Sequence, residues 1–107
     1  MLDKKTVIID LEQVKSNQLN ESYLRMFGGW VKMLLKRMFG DSPFPVQVRG
    51  KRTDVESLAR VLGNEKRYMD SYVNHGLSDS KVIDNRFRLE RAVYDFEKET
   101  GIKWPLK

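Results

Sequence analysis

Hydrophobic residues recur at helical spacing over the stretch from Glu21 to Phe39, which predicts the first long helix. Its main apolar stripe consists of Leu24, Phe27, Val31, Leu34, Leu35 and Met38. Further apolar side chains widen that stripe beyond half of the circumference: Tyr23, Met26, Trp30, Met33 and Phe39. A helix this apolar is expected to lie centrally in the fold or beneath a partner. Asn20 or Ser22 is the expected N-cap, and Gly40 is the expected stop.

Two more helical stretches follow in the second half of the chain. Thr53-Asp54-Val55-Glu56 has the pattern of a capping box and predicts a helix start. Gly63-Asn64 predicts a break in that helix, and His75-Gly76-Leu77 predicts its end, with Leu77 folding back on the last turn. The last helix is expected to start between Ser80 and Arg86. It is expected to end at Thr100-Gly101-Ile102, after which Ile102 and Trp104 dock the tail.

Short β-rich runs occur at residues 6–11 and at Val46-Gln47-Val48-Arg49. The first is expected to be an edge strand that pairs with the second. We interpret residues 1–19 as an N-terminal arm outside the core and residues 20–107 as a single helical domain. The predicted fold is mainly α, with three or four helices packed round a central apolar helix and at most a short two-stranded β element.

The composition excludes several kinds of chemistry but leaves several classes of binding partner open. The chain has 107 residues, a formal charge of +5, no cysteine and one histidine, His75. Disulfides and thiolate chemistry are therefore excluded, and no metal site, cofactor or nucleophile–base pair is predicted. No signal peptide and no transmembrane segment are recognisable, so a cytoplasmic protein is expected. The basic excess favours an anionic partner, which is a nucleic acid, an acidic protein or a membrane surface.

Four neighbouring residues are the strongest candidates for phosphate or nucleic-acid binding: Arg49, Lys51, Arg52 and Thr53. They lie just before a predicted helix N-terminus, where free N–H groups and the helix dipole favour an anion. A solvated basic turn is the competing interpretation. Arg86, Arg88 and Arg91 form a second basic cluster, but acids nearby favour ordinary ion pairing on a helix surface.

Partner contacts are expected at two other places. Val7, Ile8 and Ile9 in the arm can add a strand to a neighbouring sheet. Trp30 belongs to the apolar first helix, whose basic residues Arg25, Lys32, Lys36 and Arg37 leave three interpretations: a core helix, a partner-binding helix and a membrane-surface helix.

Three segments resemble small proteins of large contractile-tailed bacteriophages, especially marine ones. They are Leu19-Asn20-Glu21-Ser22-Tyr23-Leu24-Arg25-Met26-Phe27-Gly28, Glu65-Lys66-Arg67-Tyr68-Met69, and Phe96-Glu97-Lys98-Glu99-Thr100-Gly101-Ile102-Lys103-Trp104-Pro105. The resemblance covers about residues 19–105 and transfers no functional residue. It implies a phage context, in the virion or in the host cytoplasm.

The leading functional hypothesis is a non-enzymatic structural or assembly protein of a phage particle. It would contact other phage structural proteins or further copies of itself, as part of an oligomer or a larger assembly. A small nucleic-acid-binding protein that uses the Arg49–Thr53 loop is the alternative, and an inhibitor of a host enzyme is a third hypothesis. No membrane partner is expected.

Overall fold

The computed structural model describes residues 6–40 and 45–106. These residues form four α-helices and two short strands, joined by short connections. The order is β1 (Val7–Asp10), α1 (Leu11–Ser16), α2 (Glu21–Met38), β2 (Val46–Arg49), α3 (Arg52–His75) and α4 (Ser80–Thr100). The predicted mainly-α fold with a short two-stranded element is confirmed. The strands pair in parallel, with Val7 opposite Val46, as a connection through two intervening helices allows.

Side-chain caps fix the starts of three helices. Asp10 accepts a hydrogen bond from the Glu12 N–H at 3.0 Å, and Asn20 accepts one from the Tyr23 N–H at 3.0 Å. Asp79 accepts one from the Lys81 N–H at 2.8 Å. Each bond satisfies a backbone donor that the first helical turn leaves without a partner. The expected N-cap of α2 at Asn20 is confirmed.

The predicted capping box at Thr53 is wrong. α3 begins at Arg52, and its N-cap is Lys51, which lies two residues before the predicted cap and makes no side-chain capping bond. Thr53 therefore already lies inside the first turn, where its side chain is exposed. Glu56 pairs with Arg52 at 3.1 Å instead of reaching back to a cap.

The predicted break of α3 at Gly63-Asn64 is also wrong. The helix runs without interruption for 24 residues, which corresponds to about 36 Å. Asn64 donates to the Arg60 carbonyl one turn earlier, at 2.8 Å, and so bonds within the helix instead of capping a new one. Tertiary packing against α4 explains why one glycine does not end the helix, since its intrinsic cost is only about 1 kcal/mol.

The N-terminal segment belongs to the core, so the predicted arm is wrong for its described residues. Ile9, Leu11 and Val14 have no exposed surface and pack with the apolar faces of α2, α3 and α4. Lys15 adds an ion pair to Asp54 of α3 at 2.5 Å. Asp54 is almost fully buried, and its proximity raises the pKa of the Lys15 ammonium.

The core is completed by α2, the first half of α3, the second half of α4 and the tail. Phe27, Val31 and Leu35 face inward from α2, as predicted, while Met38 stays exposed at 39%. α2 also leaves Met26 in water, so its apolar surface is not fully enclosed.

The tail docks as the sequence predicts. Gly101 adopts a positive φ of 75° in the left-handed region, which ends α4. Ile102 and Trp104 then enter the core, where the Trp104 ring meets Phe96 edge-on at 5.4 Å between centroids. The Trp104 backbone N–H donates to Glu97 at 2.8 Å and its indole N–H donates to Glu65 at 2.9 Å.

Candidate interaction surface

α3 and α4 form a helical hairpin of which only one half belongs to the core. A four-residue connection joins them, which places them side by side in opposite directions. The core residues of α3 end at Leu62, and those of α4 begin again near Leu89. Residues 63–88, all within the described part of the chain, contribute nothing to the core cluster. This stretch forms the outer half of the hairpin.

Small side chains hold the outer half together. Ser71 and Val82 are the buried residues between Gly63 and Arg88. The Ser71 hydroxyl donates to the Tyr68 carbonyl at 2.8 Å, so it satisfies its own polar group within the helix. Because little apolar volume is enclosed at this level, larger apolar side chains of the same stretch point outward.

We call these outward side chains the hairpin-end surface, which consists of Tyr72, Val73, Leu77, Ile83 and Phe87. Val73 is 74% exposed, Leu77 is 68% exposed and Phe87 is 58% exposed. The expectation that Leu77 folds back on the last turn of α3 is therefore wrong. Single exposed apolar residues are common on proteins, but here five of them lie within 16 residues of the chain at one end of the hairpin.

Two shallow concavities lie beside residues of the hairpin-end surface. One has a volume of about 370 Å³ and is lined by Phe39, Met69, Asp70, Tyr72, Val73 and Asn74. The Lys66 ammonium lies over the ring of Phe39, which follows α2, at 4.8 Å from the ring centroid. The other, on the α4 side, has a volume of about 410 Å³ and is lined by Ser80, Lys81, Ile83, Asp84 and Phe87. Such concavities can receive apolar side chains of a partner.

A separate groove of about 470 Å³ lies where the tail crosses the hairpin. Its lining residues are Glu65, Tyr68, Arg86, Leu89, Glu90, Val93, Tyr94, Glu97, Trp104 and Leu106. Burial raises the pKa of the Glu65 carboxyl, and the hydrogen bond from Trp104 partly opposes that rise. Since Glu65 and Glu97 both hold Trp104, these carboxylates have a structural task in docking the tail.

In the predicted phosphate loop, packing and backbone conformation explain why position 50 is a glycine. Gly50 has a φ of 149°, and a Cβ placed there would approach the Leu11 Cβ to 3.0 Å. Glycine is thus required by the close passage of α1 and by its own backbone conformation. Arg49, Lys51 and Arg52 are exposed, and Arg52 is paired with Glu56. The glycine of this loop is therefore explained by packing and does not by itself indicate a phosphate site.

Most of the predicted partner residues of β1 and α2 instead make contacts within the chain. Ile9 is fully buried, and Val7 packs against the core and donates its N–H to the Pro45 carbonyl at 2.9 Å. Trp30 is half-buried and meets Tyr23 edge-on at 5.9 Å. Ile9 is therefore wrong as a partner contact, because it faces the core. Ile8 is the member of this set with a largely exposed side chain, at 41%.

Two of the three arginines in the α4 cluster form the expected ion pairs on the helix surface, whereas Arg86 lies 5.8 Å from the centroid of the Phe87 ring. Arg88 pairs with Asp84 at 3.4 Å and Arg91 pairs with Asp95 at 3.5 Å, each one helical turn apart. Among the described residues, no group of three or more histidine, aspartate or glutamate side chains is arranged to hold a metal ion. None of the described helices is long and apolar enough to cross a membrane.

Sequence reasoning did not identify the hairpin-end surface. The pattern His75-Gly76-Leu77 predicts that Leu77 packs on the helix end, which is the usual role of an apolar residue after a helix-ending glycine. The available signal was the small side chain of Ser71, which leaves the facing helix little to pack against.

Comparisons with protein-family models, with curated protein sequences and with solved structures found no match to this chain.

Proposed function

We propose that this chain is a non-enzymatic assembly protein that docks onto another protein chain through the hairpin-end surface. The observation that carries the proposal is the exposure of Tyr72, Val73, Leu77, Ile83 and Phe87 on an outer half that contributes no residue to the main core cluster. Removing apolar surface from water stabilises a complex by roughly 25 cal/mol per Å². Aromatic and aliphatic anchors surrounded by polar side chains are typical of the centre of a protein interface.

The setting of the proposal comes from the resemblance of residues 19–105 to small bacteriophage proteins. In that setting the partner is another structural protein of the particle or a second copy of this chain. The location would be the virion or the host cytoplasm. The hairpin-end surface fits either partner, because both would bury the same side chains.

The test compares two variants that place charge on exposed apolar positions. V73D/L77D alters the hairpin-end surface, and L19D alters a fully exposed leucine outside it. The wild type and L19D are expected to associate, whereas V73D/L77D is not. Self-association is measured by sedimentation velocity over a range of concentrations, and association with other chains by mass spectrometry of assemblies from cells that make a tagged protein. A wild type that stays monomeric and co-purifies with the same chains as V73D/L77D would contradict the proposal.

A further inference from the structure

Positive charge is distributed unevenly over the long helices. α3 and α4 together carry nine lysines and arginines and nine aspartates and glutamates, so they are neutral as a pair. α2 carries four cations and one acid, Glu21, at its first position. The net charge of +5 therefore does not come from the hairpin, and α2 supplies a large share of it.

Ion pairing follows the same division. Five of the nine lysines and arginines of α3 and α4 form salt bridges: Arg52–Glu56, Arg60–Glu99, Lys66–Asp70, Arg88–Asp84 and Arg91–Asp95. The other four are spread over both helices and are interspersed with acids. Arg25, Lys32 and Lys36 of α2 make no ion pair within 4.0 Å to any of the residues in 6–40 and 45–106. All three are exposed. Their charge is consequently available to an anionic partner.

These cations lie on one stripe of α2. Arg25, Gly29, Lys32 and Lys36 are spaced by four, three and four residues, which places them on the same side of a helix. From Arg25 to Lys36 the stripe extends about 16 Å along the axis. The opposite side, with Phe27 and Val31, is fully buried, so the stripe has a fixed outward orientation.

The centre of the stripe is bare backbone. Gly29 is exposed, and a Cβ built at that position would meet nothing within 4 Å. An extended anion can therefore approach the helix closely between Arg25 and Lys32, with a cation on each side. We call Arg25, Gly29, Lys32 and Lys36 the α2 stripe.

We infer that the α2 stripe binds the phosphate backbone of nucleic acid, independently of its sequence. A duplex carries one negative charge per roughly 1.7 Å of its axis, so a stripe of this length faces several phosphates at once. Backbone contacts of this kind position a protein but do not read bases. This inference is independent of the hairpin-end surface, because it uses other residues on another helix.

Two other anionic partners fit the α2 stripe less well. A membrane-surface helix inserts a row of aromatic and aliphatic side chains beside its cations. On α2, Trp30 is packed against Tyr23 and Phe27 is buried, so that Met26 and Met38, about three turns apart, are the large apolar side chains left exposed. An interface with an acidic protein is usually centred on apolar anchors, and the α2 stripe has glycine at its centre.

The experiment measures fluorescence anisotropy of a labelled 20-base-pair duplex and a 20-nucleotide single strand between 50 and 200 mM salt. The test variant is R25Q/K32Q/K36Q. The matched control is R60Q/R88Q/R91Q, which removes the same number of positive charges from the hairpin. Wild type is expected to bind with an affinity that falls steeply with salt. The test variant is expected to bind at least about tenfold more weakly and to flatten the logarithmic salt slope by about 2 to 3, while the control stays close to wild type.

Several results would overturn the inference. They are an absence of wild-type binding at 50 mM salt, an equal loss in the control, and a loss in R49Q/K51Q that R25Q/K32Q/K36Q does not share. Binding to vesicles rich in phosphatidylserine without binding to either nucleic acid would assign the α2 stripe to a membrane surface instead. V73D/L77D should bind nucleic acid like wild type, so a failure of the proposed protein interface is distinguishable from a failure here. Circular dichroism checks that each variant keeps its helices.

Discussion

The two halves of the α3–α4 hairpin differ in what covers them, although both are amphipathic helix pairs. The inner half is covered by α2, the β1–α1 segment and the tail, so Leu58, Val61 and Phe96 are fully or almost fully buried. The outer half has no such cover, and Tyr72, Val73, Leu77, Ile83 and Phe87 stay exposed. Helical periodicity alone therefore does not say which apolar residues stabilise the fold and which are left for a partner.

The largest expected effect on stability comes from replacing a buried leucine of the core with alanine, compared with the same change at an exposed leucine of the hairpin end. Leu11 is fully buried beside Gly50, whereas Leu77 is 68% exposed. L11A should lower the free energy of unfolding by about 2–5 kcal/mol, because it leaves a cavity in the core. L77A should change it by less than about 0.5 kcal/mol. Denaturant unfolding measures both, and similar losses in the two variants would show that the hairpin end is packed after all.

The next effect concerns the charge that ties the N-terminal segment to α3. K15M leaves the buried Asp54 carboxylate without its ion-pair partner. The expected loss is about 3 kcal/mol, at the low end for a broken buried pair because Lys15 remains partly exposed. K15M/D54N should recover part of that loss, since it removes the unpaired charge. A single variant as stable as wild type would mean that Asp54 is solvated without Lys15.

Glycine substitutions should act in opposite directions in the two regions. Gly101 has a φ of 75°, which strains any residue with a Cβ, so G101A should cost about 1–2 kcal/mol. Gly63 lies within α3, and a Cβ there meets nothing within 4 Å. G63A should therefore stabilise the protein by about 0.5–1 kcal/mol. Thermal unfolding compares the pair, and a destabilising G63A would indicate that the junction of the two halves needs a flexible residue.

The smallest expected effect is a pH dependence at the groove beneath the tail. Burial raises the pKa of Glu65 above its ordinary value of 4.5, so the folded state disfavours the ionised carboxylate. The contribution of this group to stability is present below the pKa of the unfolded chain and is lost as the pH rises through the folded pKa.

E65Q keeps an oxygen that can accept from the Trp104 indole and removes this titration. It should be at least as stable as wild type at pH 7, and the difference should shrink as the pH falls toward 4.5. Urea unfolding at several pH values measures it. A difference that is constant with pH would show that Glu65 titrates alike in the folded and unfolded states.

Local signals predicted the helix ends that depend on local chemistry. Asn20 before α2 and Gly101 after α4 act through bonds within one or two turns, so their neighbours in sequence suffice to identify them. The start of α3 was missed because Thr53 and Glu56 match a capping box by pattern, while the helix begins after Lys51, which has no side-chain capping bond. The break at Gly63 was missed because contacts with α4 outweigh one unfavourable residue.

The sequence by itself determined the mainly helical fold, the span of α2, the ends of α4 and the docking of Ile102 and Trp104. These follow from spacing, caps and hydrophobicity, which are properties of residues close together in the chain. Only the tertiary structure decided that Ile9, Leu11 and Val14 are core and that Val73 and Leu77 are surface. It also decided that Arg25, Lys32 and Lys36 make no ion pair with the described residues, whereas five cations of the hairpin do. Burial and charge pairing depend on residues far apart in sequence, such as Lys15 with Asp54 and Arg60 with Glu99, and no local pattern contains them.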